Sequence, residues 1–232
     1  MLFIGVDLGT SAVKLLLMDE TGKIHKVVSK EYPLYFPQPG WSEQNPQDWI
    51  RQSMEGIKEL TAQCDKSQIK GISFGGQMHG LVVLDEKDQI IRPAILWNDG
   101  RTGKQTDYLN QEIGKETLSR YTGNIAFAGF TAPKILWMRE KEPENFARIR
   151  KIMLPKDYLA FYLSGEFSTD YSDASGTLLL DVEHKRWSEE MMEICGVRES
   201  QLPKLYESWE PTGIIKPEIA EELGIPQDVK II

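Results

Sequence analysis

Three short segments carry side chains that could do chemistry together. The first is Asp7-Leu8-Gly9-Thr10-Ser11, with Lys14 three residues on. Gly9 lets backbone approach an anion, the amides and hydroxyls of Thr10 and Ser11 can face a phosphate, and Asp7 can hold Mg²⁺ through water. The same residues also read as a plain hairpin turn. Neither the dinucleotide-fold nor the P-loop glycine pattern is present, so neither competes. The second segment is Gly75-Gly76-Gln77-Met78-His79-Gly80. Its glycines permit close approach to a ligand, Gln77 and His79 can hydrogen-bond hydroxyls, and Met78 offers a soft apolar contact. A satisfied histidine in a turn is the competing reading. The third is Trp97-Asn98-Asp99-Gly100-Arg101. An aromatic face suits the C–H groups of a sugar, while amides and carboxylates suit its hydroxyls. A core tryptophan followed by an Asp–Arg pair at a helix start is the alternative, preferred for Asp99 and Arg101.

Each segment falls where an extended run stops. Leu2–Val6, Ala12–Met18 and Ile24–Tyr35 read as strands separated by Gly9 and by Asp19-Glu20-Thr21-Gly22, an antiparallel meander. Ile69–Phe74, Leu81–Leu84 and Ala94–Trp97 are further strands, two of them leading into the second and third segments. Between them Asn45 reads as an N-cap, with Pro46 at the first helical position and Asp48 in the first turn. An apolar stripe follows through Trp49, Ile50, Met54, Ile57, Leu60 and Cys64. Beyond Gly100 the chain turns helical, with candidates at 101–112, 132–140, 144–149, 156–163, 188–195 and 216–223, and Thr131 as a cap. Val229-Lys230-Ile231-Ile232 opens a buried strand. A meander feeding helix–strand alternation implies an α/β fold, a mixed sheet with helices on its faces.

Composition narrows the function classes. With 41% apolar and 27% charged residues in 232, the chain is neither disordered nor fibrous. A net charge of −8 argues against a nucleic-acid partner. Cys64 and Cys195 lack metal-ligand spacing, and two distant thiols suit a reducing, cytoplasmic setting. Asp7 interrupts the apolar N-terminus, which is therefore no signal peptide, and no run reaches the ~18 apolar residues of a membrane span. Trp41-Ser42-Glu43-Gln44 reads as a packed loop, Asp170–Thr177 as a capped loop, and Lys134 and Trp137 as a surface charge and a packing residue.

In order along the chain, these motifs resemble those of the FGGY carbohydrate kinases, within the actin/hexokinase/Hsp70 superfamily. Phe3–Ser11, Gly40-Trp41-Ser42-Glu43-Gln44-Asn45-Pro46, Gly76–Gly80, Ile95–Arg101, Thr131–Trp137 and Ser172–Thr177 carry the resemblance. It implies a ribonuclease-H-like mixed sheet flanked by helices, in one of two lobes around a cleft. Residues 1–232 would be the N-terminal lobe, with the sugar site and the first phosphate loop. The implied activity is transfer of phosphate from ATP, with Mg²⁺, to a small ketose; the resemblance leaves a homodimer open. Asp7 would organise Mg²⁺ and the transferring phosphate, Thr10 and Ser11 would line the phosphate loop, and Lys14 would add positive charge. Gln77, Met78 and His79 would bind the sugar and Trp97 would wall its pocket. Gln77-Met78-His79-Gly80 is closest to the loop of members that make D-xylulose 5-phosphate, whereas glycerol-phosphorylating members carry Arg-Glu at positions 78 and 79. Ribulose or gluconate is the alternative substrate; a non-catalytic binding module and an actin-like ATPase lobe are alternatives of other classes. The general base, in a Gly-Gly-Gly-Asp loop, and the adenosine site would lie beyond Ile232, leaving residues 1–232 alone without turnover.

Overall fold

The computed structural model describes residues 1–232 and is built on a six-stranded mixed sheet. Its first three strands form the expected meander: β1 (Leu2–Leu8), β2 (Ala12–Asp19) and β3 (Ile24–Glu31). Alternation along β1 and β2 sends Ile4, Val6, Leu8, Val13, Leu15 and Leu17 into the core. β3 stops at Glu31 rather than Tyr35, because Pro33 has no N–H to give a ladder. It is an edge strand, and its Lys26, Lys30 and Glu31 discourage pairing with another chain.

β4 (Ile69–Gly76) lies parallel to β1. β5 (Gly213–Ile214) and β6 (Lys230–Ile231) complete the order β5-β6-β4-β1-β2-β3, with β6 parallel to β4 and antiparallel to β5. Val229 and Ile231 are fully buried, as the apolar run there predicts. Three antiparallel strands followed by parallel ones is the ribonuclease-H-like arrangement.

Helix α1 (Pro46–Leu60) starts as its sequence predicts: the Asn45 side chain accepts the Gln47 N–H at 3.1 Å and Pro46 occupies the first turn. It ends before Cys64. Also present are α2 (Thr131–Lys141), α3 (Pro155–Ser164), α4 (Tyr171–Ser175) and α5 (Pro217–Leu223). The single helix expected over 101–112 is instead a short one, Gly103–Asp107, running into a wide π-type turn over Tyr108–Gly114. An unexpected helix, Lys115–Thr122, follows; only Leu118 and Thr122 in it are buried, too thin a stripe to announce it. No helix is long and apolar enough to cross a membrane.

Two apolar cores lie side by side. One fills the space between the sheet and α1, α3 and α5; the other packs α2 against the Glu189–Cys195 helix. The Val82–Leu84 strand divides them, with Val82 and Leu84 in the first core and Leu81 and Val83 in the second. Ala94 and Leu96 face the first core while Ile95 faces the second. Gln77–Gly80 is therefore the bridge from the end of β4 to the boundary between two cores.

Candidate functional site

Because β1 and β4 are parallel, with Asp7 beside Gly75 and Leu8 beside Gly76, two loops leave the sheet at neighbouring strand ends. Carboxyl ends of parallel strands are where open α/β sheets bind ligands. In the first loop the Gly9 N–H donates to the Ala12 carbonyl at 3.0 Å, closing a tight turn. Asp7 is exposed and pairs in register with Lys14, also exposed, so both side chains stand on one face. The Asp7 carboxylate has no cationic partner. A lone exposed carboxylate beside a turn of amides and hydroxyls fits Mg²⁺ held mostly by phosphate oxygens and water. The Tyr32 hydroxyl donates to the Gly9 carbonyl. Burial, reinforced by the Asp7 charge, pushes that phenol well above its ordinary range and keeps it a donor. Thr10 is held at both ends, its hydroxyl accepting the Trp97 indole N–H at 3.0 Å and its carbonyl accepting the Gln44 amide at 2.6 Å. Ser11 is exposed.

In the second loop Gln77, Met78 and His79 do not share one role. Gln77 is buried; its backbone N–H donates to the Leu8 carbonyl at 2.8 Å and its side-chain amide to Gln44 at 2.8 Å. Its side chain turns inward, and only its Oε1 is left without a partner. Met78 is 42% exposed. His79 turns the chain in the left-handed region, at φ 63°, uncommon for a residue with a Cβ. Its ring stacks at a tilt on Phe130, centroids 4.7 Å apart, and rests against the backbone of Gly176. A Cβ at Gly176 would come within 2.3 Å of the imidazole Cε1. Burial, aided by the nearby Lys134 charge, lowers the His79 pKa against the pull of Asp173. A neutral imidazole both donates and accepts, which suits a hydroxyl. Trp97 is 42% exposed and stands against the first loop through Thr10.

A sequence profile of the FGGY family of carbohydrate kinases, N-terminal domain, matches residues 2–232. The chain belongs to this family. It is 47% identical over 230 residues to the xylulose kinase of Lactococcus lactis, covering 98% of this chain and 46% of that protein. It therefore spans about half the length of the curated relatives it matches. A crystal structure described as a xyloylose kinase from Brucella ovis superposes with a TM-score of 0.96 at 42% identity, over all of this chain and 48% of that one. A gluconate kinase from Lactobacillus acidophilus superposes almost as well, TM-score 0.95 at 32% identity, over all of this chain and 47% of that one. The FGGY fold is thus shared across different sugars, and backbone shape does not choose among them.

Several residues of this FGGY domain that matter to the site are buried, and composition gave no sign of it. Gln44, read as part of a packed loop, is packed but also joins both loops: its Oε1 accepts from Trp49 at 3.1 Å and from Gln77, while its amide reaches Thr10. Its neighbours Ser42 and Glu43 are buried too. Lys134, expected on the surface, is fully buried. Its Nζ donates to the carbonyls of His79 at 3.2 Å, Phe130 at 3.1 Å and Gly129. Burial pushes its pKa down to about 7, opposed by Asp99 and abetted by Arg101. The expected cap at Thr131 is not made, since Thr131 is the first residue of α2 and its hydroxyl donates to the His79 carbonyl at 3.1 Å. Trp137 packs as expected, edge-on to Trp41 at 5.3 Å.

Asp99 and Arg101 sit inside the FGGY domain rather than on the site's surface. The Asp99 carboxylate takes the Ser42 N–H at 2.6 Å and a paired contact from the Arg101 guanidinium, Nε at 2.8 Å and Nη2 at 2.7 Å. That guanidinium lies 3.7 Å over the Trp41 ring. They form a buried, paired support beneath the Trp97 turn, with only the Arg101 Nη1 left without a hydrogen-bond partner. The Asp170–Thr177 segment contains α4, capped by Asp170 through the Asp173 N–H at 3.0 Å. Lys156 ties it down, its Nζ 2.7 Å from Asp157 and from Asp170 and 3.3 Å from Asp173. Those carboxylates raise the Lys156 pKa despite its burial.

Proposed function

We propose that the protein carrying this chain transfers the γ-phosphoryl group of MgATP to O5 of D-xylulose. The observation that carries this reading is the hydrogen bond from the Trp97 indole to the Thr10 hydroxyl, which sets the aromatic wall directly against the phosphate loop. A hydroxyl presented by the Met78–His79 loop would then face a phosphate seated at Gly9–Ser11. The exposed Asp7 carboxylate supports a place for Mg²⁺, which when bound would neutralise charge on the phosphate oxygens. The Thr10 and Ser11 hydroxyls and amides would orient the γ-phosphate, and Lys14 would stand beside it. His79 would meet a sugar hydroxyl through its Nε2, its Nδ1 being buried against Gly176, while Met78 would cover C–H groups and Trp97 would close the apolar side. The Gln77 Oε1 and the His79 Nδ1 are buried polar atoms left without a protein partner.

In the step itself the O5 lone pair forms the new bond to the γ-phosphorus, the bond to the β-bridging oxygen breaks, and ADP leaves. The O5 proton goes to a carboxylate proposed on a segment after β6. β6 runs parallel to β4, so a segment continuing from it would enter the same end of the sheet. That segment would also open a second lobe holding the adenosine, and residues 1–232 alone would show no turnover. The 47% identity to a xylulose kinase supports xylulose as the sugar, and the likeness to a gluconate kinase makes gluconate the alternative. The test is a coupled ADP-release assay on the full-length protein with D-xylulose, D-ribulose and D-gluconate, with the product's phosphate located by ³¹P NMR. Preference for xylulose with phosphate on O5 upholds the proposal; preference for gluconate replaces the sugar; ATP turnover independent of any sugar overturns it.

A further inference from the structure

The most unusual group near the site touches no exposed surface. Lys134 is buried completely, yet no carboxylate comes within ion-pairing distance of it. An ammonium has three N–H donors, and they meet three backbone carbonyls: those of His79, Gly129 and Phe130. These belong to two separate segments, the turn after β4 and the loop leading into α2. A third segment is held at one remove. Gly129 packs so tightly on the Trp97 turn that a Cβ there would fall 2.7 Å from the Trp97 carbonyl oxygen. Thr131 adds a second donor to the His79 carbonyl, at 3.1 Å. A single buried lysine thus pins the point where the His79 loop, the Gly129–Phe130 loop and the Trp97 turn converge.

The His79 conformation explains the need for such a pin. At φ 63° a residue with a Cβ is strained, and surrounding contacts must hold it there. A carbonyl taken by two donors is such a contact, and the imidazole wedged between Phe130 and Gly176 is another. Asp99 and Arg101 are the charged groups whose fields act on Lys134.

We propose that Lys134 is a positioning residue for sugar binding: by gathering the carbonyls of His79, Gly129 and Phe130 it holds His79 in its left-handed turn and aligns Met78, His79 and Trp97 as one surface. This rests on the reading that these side chains contact the sugar. Lys134 does not itself reach the sugar or the phosphate.

The experiment compares Lys134→Met, which keeps the stem and removes the donors, with Thr131→Val, which removes one donor to the same carbonyl. Both are made in the full-length protein and read by sugar KM, ATP KM, kcat and the His79 carbonyl ¹³C shift after selective labelling. Lys134→Met is expected to raise the sugar KM about tenfold or more, as loss of a charged donor does, and to move the His79 shift. The ATP KM should hold within about twofold, because the Gly9–Ser11 turn closes on its own backbone. Thr131→Val should do the same more weakly, and it carries the test if Lys134→Met does not fold. A folded variant with unchanged sugar KM, or with sugar and ATP KM rising together, overturns the proposal. His79→Ala separates this from the wider reading: if it leaves the sugar KM unaltered, the sugar-site assignment fails, and the clamp is judged on the His79 shift alone.

Discussion

The two loops at the sheet's end are built in opposite ways. The Gly9–Ser11 turn joins two strands adjacent in sequence, and its closing hydrogen bond from Gly9 to Ala12 spans four residues. The Met78–His79 loop has almost no internal support. Its carbonyl is taken by Lys134 and Thr131, its ring is backed by Gly176, and Gln77 is held by Gln44. One loop closes first on local backbone geometry and is then braced by Tyr32, Gln44 and Trp97; the other is a tertiary assembly of buried polar groups throughout. A loop that receives a phosphate needs mostly amides and one carboxylate, which a hairpin supplies. Discriminating one polyol from another needs side chains held to fractions of an ångström, which takes support from several elements.

Substitutions that strike one loop should therefore leave the other's readout intact. The largest expected effect is on the proposed phosphate side. Asp7→Ala in the full-length protein should lower kcat by on the order of 10²–10³ while the sugar KM changes little, the scale of losing one group aimed at developing charge. Steady-state kinetics with each substrate varied decide this; a sugar KM rising in step with the loss of kcat would merge the two regions. Gly176→Ala tests the other side. Its Cβ would displace the imidazole, whose Cε1 would lie 2.3 Å away, and such a misplacement should raise the sugar KM by ~10²-fold with the ATP KM unchanged.

The same contrast decides what could be read from the chain. The meander, β4, α1 and its Asn45 cap are all visible as alternation, glycine turns and capping residues, because they are set by neighbours in sequence. Asp7, Thr10 and Ser11 share that legibility. The support of the second loop does not. Lys134 sits on an apolar helix where a lysine ordinarily marks the solvent face, and nothing local tells that its side chain turns inward to the carbonyls of the preceding loop and of the distant His79. Gln44 is hidden likewise, because a polar residue beside Trp41 reads as loop until Gln77 and Trp49 are seen to meet it. The lone signal was the oddity of a lysine in the first turn of α2, a helix whose residues 131–138 are all buried.

Gln44 is the one side chain that serves both loops, so it should break the contrast. Gln44→Leu would strand the Trp49 and Gln77 donors and the Thr10 carbonyl in the interior, at ~1–3 kcal/mol for a buried group left unpaired. Urea denaturation should show a lowered midpoint with unchanged slope, and both KM values should rise together. Lys134 adds a pH signature to the proposed sugar side. Its pKa is about 7 when folded against 10.5 for an ordinary lysine, so between those values the unfolded chain binds the extra proton and stability rises with pH. Below about 7 both states are protonated and the cost of burying the charge is fully present. The stability of wild type minus that of Lys134→Met should accordingly climb across this window. A flat difference would mean that Lys134 ionises as readily inside as outside.

The smallest effect should come from the hydrogen bond that ties the Trp97 turn to the Gly9–Ser11 turn. Trp97→Phe keeps an aromatic face at the proposed sugar site and removes only the indole N–H that Thr10 accepts at 3.0 Å. Trp97 is 42% exposed, so water can take the vacated place on the Thr10 hydroxyl and the loss should be ~1 kcal/mol or less. That free energy corresponds to a rise of up to about fivefold in the sugar KM, with the ATP KM unmoved if the Gly9–Ser11 turn stands on its own backbone. Isothermal titration with sugar alone and with an unreactive ATP analogue present separates the two cases. If the analogue strengthens sugar binding in wild type and not in Trp97→Phe, this bond transmits occupancy from one loop to the other. Equal strengthening in both would leave the loops independent, each held by the support its own side of the fold provides.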